Sequence, residues 1–470
     1  MNSEDLAYTP ALEQARLIRA GELSPLELTD LYLERIDRLD SRYNSFFLVL
    51  ADQARAEAKR KTEELAGRGA NAEDLPPFFG VPISVKDLTP MAGLPCTYGL
   101  KILRDRRPAE VDAGIVQKVR DAGFTILGKT ATSQLGSTPF TEPRGFSPTR
   151  NPWNPDYTPG GSSGGAAAAI AAGFGSVALA SDGGGSIRGP AYCCGLVGIK
   201  PSRGRVSHAP LGDKLGGLSI DGPLARTVAD AAALLDVLSG YIPGDPYWLP
   251  DPHGSFLDAT QKPLGSLRIG MIEDIAPVGT VDAIGKAAMQ HMATRLEALG
   301  HQVEPYTVDF SAMVEPLITV WQAGVDMGVP WFFLDKLNRW LRRRSRRNSG
   351  GDYLRALMQI QTTSRELVTK FSSYDVILMP IYLHHTIQVG EWRRLSAPKM
   401  FEKILNWVAP CPPINATGQP AIALPTHLAP NGLPAGVQLI GRPAAEFTLI
   451  ALAAQLEAAH PWTHRATVEE

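Results

Sequence analysis

Two glycine- and serine-rich segments hold the residues best suited to chemistry in this 470-residue chain. They read GGSSGG at 160–165 and DGGGS at 182–186. Dense glycine indicates backbone that runs where a Cβ would clash, or backbone that lies close to a ligand. A loop that offers several N–H groups and ends in a hydroxyl suits acyl transfer, because the hydroxyl can attack a carbonyl while the N–H groups bind the oxyanion.

The simplest alternative is a flexible linker, since Gly-Ser runs often connect other elements. However, the alanine-rich residues 166–172 follow the first segment directly and favour a helix. Residues 176–180 then favour a short strand that leads into the second segment. A linker does not lie between tightly connected elements, so the pattern favours two structured loops.

This stretch resembles the amidase signature family. The resemblance rests on GGSSGG, on DGGGSIRGPAYCCG and on GLVGIKPSRGRVS, with 24 positions from Ser162 to Ser186. Upstream, GVPISVKD at 80–87 is similar to the family's lysine motif. Downstream, NATGQPAIALP and GLPAGVQLIGRP are similar to its C-terminal motifs. The resemblance therefore covers most of the chain, and its central motifs are highly specific.

The resemblance implies a Ser-Ser-Lys triad, with Ser186 as nucleophile, Ser162 as the bridging serine after a cis peptide bond, and Lys86 as base. A serine nucleophile needs an adjacent base, and no histidine lies in or near either glycine segment. Lys86 follows a predicted buried strand at 81–85; taken alone, it could equally reach the surface with its amine. To act as a base it must be neutral, so burial has to lower its pKa from about 10.4.

The family also implies an oxyanion hole of backbone N–H groups from Gly183, Gly184, Gly185 and the nucleophile. Relatives usually carry a β-branched residue at position 183, so glycine there predicts a looser loop with the same donor.

Three further residues are expected to support these loops. Asp182 and Arg188 should form a charge pair that braces the oxyanion loop. Ser163, beside the bridging serine, is expected to support it.

Two other motifs predict functions that we reject. GFTILGKT at 123–130 matches the phosphate-binding P-loop, but it follows a predicted helix and its interior is apolar and β-prone. GGSSG and GSSGG match the nucleophile elbow, which needs a strand immediately before it. Residues 151–159 hold three prolines and cannot form a central strand.

Alternating predicted helices and strands favour an α/β fold with a largely parallel core sheet. The resemblance implies one amidase-signature domain over 1–470, with a large mixed, mostly parallel β-sheet flanked by helices on both faces. Its catalytic core would span 80–210.

Residues 311–408 break this regularity with clustered aromatic residues and an arginine run. They could form a lid over an apolar pocket, a membrane-surface patch, or ordinary core. The resemblance favours the lid, with Trp331 and Phe333 in the substrate pocket. Gln134 stands where many relatives have glutamate, which we interpret as tuning of that pocket.

Composition limits the other possibilities. A net charge of −2 gives no electrostatic case for nucleic acid. The four cysteines suggest neither disulfides nor a metal site, and the N-terminus lacks a signal-peptide pattern. No apolar run is long enough for a membrane span. We therefore expect a cytoplasmic monomer or homodimer without metal or cofactor, acting on a small molecule.

The predicted function is hydrolysis of C–N bonds in aryl or acyl amides, extending to carbamates and esters through the same acyl-enzyme chemistry. The alternative is the glutaminase subunit of a tRNA-dependent amidotransferase, which shares the central motifs. A non-catalytic scaffold is a third hypothesis, disfavoured because Lys86, Ser162 and Ser186 are all present.

Overall fold

A computed structural model describes residues 2–68 and 74–468; the two ends of the predicted 1–470 domain lie outside these ranges. The strands are β1 Phe46–Val49, β2 Pro82–Lys86, β3 Thr125–Thr130, β4 Val177–Asp182, β5 Val197–Lys200, β6 Ile220–Ala225, β7 Arg268–Met271, β8 Asp274–Ile275, β9 Gly279–Thr280, β10 Gln302–Pro305, β11 Val376–Pro380, β12 Ala421–Leu428 and β13 Pro434–Gly441.

The helices are α1 Ser3–Ala7, α2 Ala11–Arg19, α3 Pro25–Tyr43, α4 Ala51–Arg68, α5 Gly114–Asp121, α6 Gly164–Ala171, α7 Arg188–Cys194, α8 Val228–Leu238, α9 Phe256–Ala259, α10 Ala283–Ala298, α11 Ser311–Gly324, α12 Lys336–Ser345, α13 Gly350–Phe371, α14 Ala397–Val408, α15 Pro412–Thr417 and α16 Glu446–Ala459.

Eleven strands form one sheet in the order β1-β3-β2-β4-β6-β5-β12-β13-β11-β7-β10. The expected mixed sheet is confirmed, but the expectation that it is mostly parallel is wrong. Of the ten neighbouring strand pairs in this sheet, six are antiparallel and four are parallel. A short turn joins β12 to β13, and a turn of that length can connect only antiparallel neighbours.

Helices cover both faces of the sheet. Along β4, Val177 and Leu179 belong to one hydrophobic cluster, while Ala178 and Ala180 belong to a second. Successive side chains of a strand point to opposite faces, so these two clusters lie on opposite faces of the sheet. A third cluster, to which Ala421 of β12 belongs, lies on the same face as the second, to which Ala423 belongs. Helices α3, α8, α10 and α16 pack in the first cluster, and α7, α12 and α14 in the second.

Residues 125–130 of the segment that matches the P-loop pattern form β3, and all of them are buried. Its Lys129 pairs with Asp87 at 2.7 Å, and both side chains are buried. This lysine is therefore bound within the core, which agrees with our rejection of a phosphate site. Residues 151–163 contain turns and isolated bridges but no named strand, so the elbow geometry is also absent from this described segment.

All four cysteines are free thiols, and Cys193, Cys194 and Cys411 are buried. Among the described residues, no helix combines the length and the apolar character that crossing a membrane requires.

Candidate active site

Lys86 lies at the carboxyl end of the buried strand β2. Its parallel neighbour β4 ends nearby at Asp182. Parallel strands present their carboxyl ends at the same edge of the sheet, which brings Lys86 close to Ser181 and to the glycine loop that follows β4. The predicted strand is confirmed, and its lysine does not reach the surface, since only 1% of Lys86 is exposed.

Three hydroxyl groups surround the amine of Lys86. Its Nζ lies 2.8 Å from Ser162 Oγ, 2.7 Å from Ser163 Oγ and 2.9 Å from Ser181 Oγ. Ser163 Oγ donates to the carbonyl of Ser181 at 3.3 Å, so it accepts a hydrogen bond from Lys86. A neutral amine has two N–H donors and one lone pair, and this arrangement satisfies it when Ser162 supplies the remaining donor.

Burial lowers the pKa of Lys86 to about 7. The carboxylates of Asp221 and Asp182 oppose this change, and Lys214 adds to it. A substantial fraction of the lysine is therefore neutral near physiological pH, as a general base requires.

The GGSSGG loop needs glycine because it packs against neighbouring backbone. A Cβ on Gly161 would lie 2.6 Å from the Phe140 nitrogen, and one on Gly165 would lie 2.3 Å from the Ala131 nitrogen. The peptide bond between Gly161 and Ser162 is cis, as the resemblance implied. This close packing places Ser162 beside the lysine.

Ser186 is partly exposed and lies on the wall of a cavity. The N–H groups of Gly183, Gly184 and Ser186 donate to no group in the described chain. The Gly185 N–H, in contrast, donates to Asp182 Oδ1 at 2.6 Å. Of the four expected oxyanion donors, three thus stay free in this structure and Gly185 is already engaged.

Asp182 and Arg188 form the expected charge pair, with both side chains fully buried. Arg188 Nε lies 2.9 Å from Asp182 Oδ2 and Nη2 lies 3.0 Å from Oδ1. Although burial raises the pKa of Asp182, the Arg188 guanidinium holds it below its usual range. A carboxylate that also binds the Gly185 and Ile187 N–H groups fixes the loop around Ser186.

Two residues that the sequence analysis assigned no role complete this network. Asn415 accepts from Arg188 at 2.6 Å and donates to the Asp182 carbonyl at 2.9 Å. Gln438 accepts from Arg188 Nη1 at 2.7 Å. Both lie in the two C-terminal motifs, so the motif resemblance already contained a signal for them.

The cavity beside Ser186 has a volume of about 170 Å³. Its wall contains no Asp, Glu, Lys, Arg or His side chain among the described residues. Most of the wall is apolar, and α11 and α14 supply much of it: Met313, Leu317, Trp321, Ile404, Leu405 and Val408. The predicted region 311–408 thus does border this cavity.

The specific pocket residues predicted from the sequence lie elsewhere. Trp331 is 61% exposed, and neither it nor Phe333 borders the cavity. Gln134 is buried, donating to the Phe333 carbonyl at 3.2 Å and accepting from the Asp335 N–H at 2.7 Å. These bonds bind the aromatic segment at its backbone and leave the Trp331 side chain facing outward. Trp321, an aromatic residue of the same predicted region that was not among the expected pocket residues, does border the cavity.

Comparison with known proteins identifies the family. The amidase family profile matches residues 27–450. A protein of Synechocystis sp. named "Putative amidase" is 49% identical over 454 residues, covering 96% of this chain and 89% of its own. A 6-aminohexanoate cyclic dimer hydrolase solved with its substrate superposes with a TM-score of 0.90 at 30% identity, covering 98% and 99% of the two chains.

A bacterial aryl acylamidase of the amidase signature family superposes with a TM-score of 0.87 at 26% identity, covering 97% of each chain. The profile match and the long alignment together show that this chain belongs to the amidase signature family and is an amidase, an enzyme that hydrolyses amide C–N bonds.

Proposed function

We propose that this enzyme uses Ser186, Ser162 and Lys86 as a catalytic triad and acts on uncharged substrates with an apolar acyl group. The observation that carries this proposal is an uncharged cavity bordered by both Ser186 and Gly161, since the residue after Gly161 is Ser162, whose Oγ lies 2.8 Å from the amine of the buried Lys86. The chemistry of the same cavity wall supports the proposed range of substrates and argues against the alternative function as a glutaminase.

In the acylation step, Ser186 Oγ attacks the substrate carbonyl. Its proton passes to Ser162 Oγ while the Ser162 proton passes to the neutral amine of Lys86. The carbonyl oxygen becomes an oxyanion, and we propose that the free N–H groups of Gly183, Gly184 and Ser186 bind it. Each donor of this type typically contributes about 2.7–4 kcal/mol to transition-state stabilisation.

Collapse of the tetrahedral intermediate breaks the C–N bond. The departing nitrogen takes a proton from Ser162, which is restored by the Lys86 ammonium, so the amine leaves neutral and Lys86 is again a free base. Water then attacks the acyl-enzyme. Its proton passes to Ser162 Oγ while the Ser162 proton passes to Lys86, as in the acylation step. The acid is released and Ser186 regains its proton.

The cavity supports an aliphatic or aryl acyl group, since such groups gain free energy on burial among apolar side chains. Carbamates and esters present the same carbonyl to Ser186, so we propose that they are also cleaved. The names of the two structural relatives, 6-aminohexanoate cyclic dimer hydrolase and aryl acylamidase, agree with this range.

A glutaminase is disfavoured by the same wall. Free glutamine carries an ammonium and a carboxylate, and burying both without partners is strongly unfavourable. A glutamine site would need charged side chains, and the cavity wall has none among the described residues.

The test is a series of p-nitroanilides with acyl chains from acetyl to octanoyl, assayed alongside glutamine with the purified chain. We expect kcat/KM to rise about threefold to fourfold for each added CH2 until the cavity is full, from about 0.8 kcal/mol for each buried group. Ser186→Ala and Lys86→Arg should both lose nearly all activity, the latter because arginine keeps its proton.

A fluorophosphonate should label the wild type at Ser186. Labelling at Ser163, efficient release of ammonia from glutamine, or an active Lys86→Arg enzyme would each contradict the proposal. We further propose a reducing, cytoplasmic setting, supported by four free thiols, and a monomer or homodimer as the working form.

A further inference from the structure

A second buried carboxylate lies next to the lysine site and has no part in the chemistry above. Asp221 on β6 is the direct cross-strand partner of Ser181 on β4. Side chains of directly opposed residues lie on the same face, a few ångströms apart. Ser181 Oγ in turn lies 2.9 Å from Lys86 Nζ, so Asp221 is one residue removed from the amine.

Two side chains from the loop before β6 hold Asp221. Lys214 Nζ and His208 Nδ1 each lie 2.9 Å from its Oδ2. The other ring nitrogen of His208 lies 2.9 Å from the Ser219 carbonyl, which fixes the imidazole. Asp221 is only 2% exposed, and its second carboxylate oxygen, Oδ1, has no hydrogen-bond partner in the described chain.

An uncompensated buried oxygen leaves part of the negative charge of Asp221 unscreened. In a low-dielectric interior this charge favours the ammonium form of a nearby lysine, whereas Lys214 favours the neutral form. The other charged group that acts on Lys86 is Asp182, and its carboxylate is already paired with Arg188. Asp221 and Lys214 are therefore the two residues whose charges can be changed to alter the protonation of Lys86.

We propose that Asp221 and Lys214 are positioning residues that set, with opposite signs, the pH at which Lys86 becomes a base. This inference rests on the proposed role of Lys86. Neither residue touches the substrate cavity, and both act through the charge they place near the amine. Lys214 belongs to the same loop as Leu215, which borders the cavity, so the loop that shapes the acyl site also contributes to the charge of the base.

The experiment measures kcat/KM against pH for wild type, Asp221→Asn and Lys214→Met, with one uncharged p-nitroanilide that does not itself titrate. Activity rises with pH as Lys86 loses its proton, and the midpoint of that rise is the readout. Removing the Asp221 charge should move the midpoint to lower pH by about one pH unit. Removing the Lys214 charge should move it to higher pH, by less, because Lys214 is 24% exposed and partly screened.

Asp213→Asn is the matched control. Asp213 lies in the same loop as Lys214 and accepts the Gly217 N–H at 2.9 Å. Its replacement by asparagine removes one carboxylate charge, as Asp221→Asn does, but Asp213 is not among the charges that act on Lys86. Its midpoint should stay at the wild-type value. A loop that mattered only for folding would lower activity in all three variants and leave the three midpoints together.

Midpoints that move in the same direction, or that do not move, overturn the inference. If Asp221→Asn does not fold, the Lys214→Met midpoint decides alone, because a surface-reaching lysine is replaceable. Failure of the proposed function is distinguishable: Lys86→Arg would then stay active, whereas failure of this inference alone leaves Lys86→Arg inactive and the midpoints unchanged.

Discussion

Replacing the buried Lys86 should abolish activity. The difference in free energy of unfolding between variant and wild type should also favour the variant more at neutral pH than at alkaline pH. Lys86 titrates at about 7 in the folded chain, against an ordinary value of 10.5. Folding therefore opposes protonation of this group, and the wild type bears that free-energy cost wherever the unfolded chain would be protonated. Lys86→Met removes the cost together with the base.

The magnitude follows from the two pKa values. A difference of about 3.5 corresponds to about 5 kcal/mol when both states are fully protonated, since each tenfold step is about 1.36 kcal/mol. At pH 7 the cost is about 4 kcal/mol, and at pH 9 it has fallen to about 2 kcal/mol. The sign is that of a lysine with a lowered folded pKa: the wild type gains stability as pH rises from 7 towards 10.5.

The variant also leaves three serine hydroxyls without the amine, at a cost of about 1–3 kcal/mol for each one left unpaired. That cost is independent of pH, so the pH dependence is the informative quantity. Urea unfolding at pH 7, 8 and 9, followed by tryptophan fluorescence, should show the stability difference between variant and wild type changing by about 2 kcal/mol.

Lys200 is a second buried lysine whose pKa burial lowers to about 7, but it is present in both proteins and cancels in the difference. Parallel stability curves for variant and wild type would mean that Lys86 is charged in the folded state. The reasoning about a neutral lysine base would then fail, whatever the activity of the variant.

Two further predictions use matched pairs. Gly183→Ala should keep most of the activity, because its Cβ would lie 3.4 Å from Leu215, an ordinary contact distance. Gly185→Ala should lose more than about 100-fold in kcat/KM, because its Cβ would lie 2.8 Å from Cys411 and the backbone φ of +116° strains any residue other than glycine. Measurements of kcat/KM and melting temperature check both predictions. Trp321→Ala should change the octanoyl-to-acetyl preference at least about tenfold, while Trp331→Ala should leave it unchanged and alter stability by less than about 0.5 kcal/mol; equal effects would contradict the assignment of the cavity wall.

Local patterns were sufficient for most elements near the site. The alanine-rich residues after GGSSGG belong to α6, and the apolar run before Lys86 is a buried strand. These patterns involve residues that are close together in the sequence, so the elements they predict do not depend on how distant parts of the chain pair. The direction of strand pairing is not local, and the antiparallel majority of the sheet could not be inferred from the alternation of helices and strands.

The same distinction explains the substrate pocket. Trp321 and Trp331 are both aromatic residues of the irregular region, and composition cannot tell them apart. Trp331 lies on a segment whose backbone Gln134 binds at Phe333, a contact between residues 199 positions apart in the chain. Trp321 instead packs against Phe401 and borders the cavity. The motif resemblance predicted Lys86, Ser162 and Ser186 as site residues, but the hydroxyl contacts from Ser163 and Ser181 to Lys86 needed the folded geometry.

The structure buries charged side chains around one edge of the sheet, among them Lys86, Asp87, Lys129, Asp182, Arg188, Lys200 and Asp221. Such burial is unfavourable unless each charge is paired or neutralised. Asp182 is paired with Arg188 and Asp87 with Lys129. Asp221 is paired with Lys214 through Oδ2 only, because its Oδ1 has no hydrogen-bond partner in the described chain, so its charge is partly compensated. Lys86 has only hydroxyl and carbonyl partners, and releasing its proton is the remaining way to reduce the cost of its burial. The pairing of these carboxylates with other cations therefore favours the neutral form of Lys86, which its proposed role as a base near neutral pH requires.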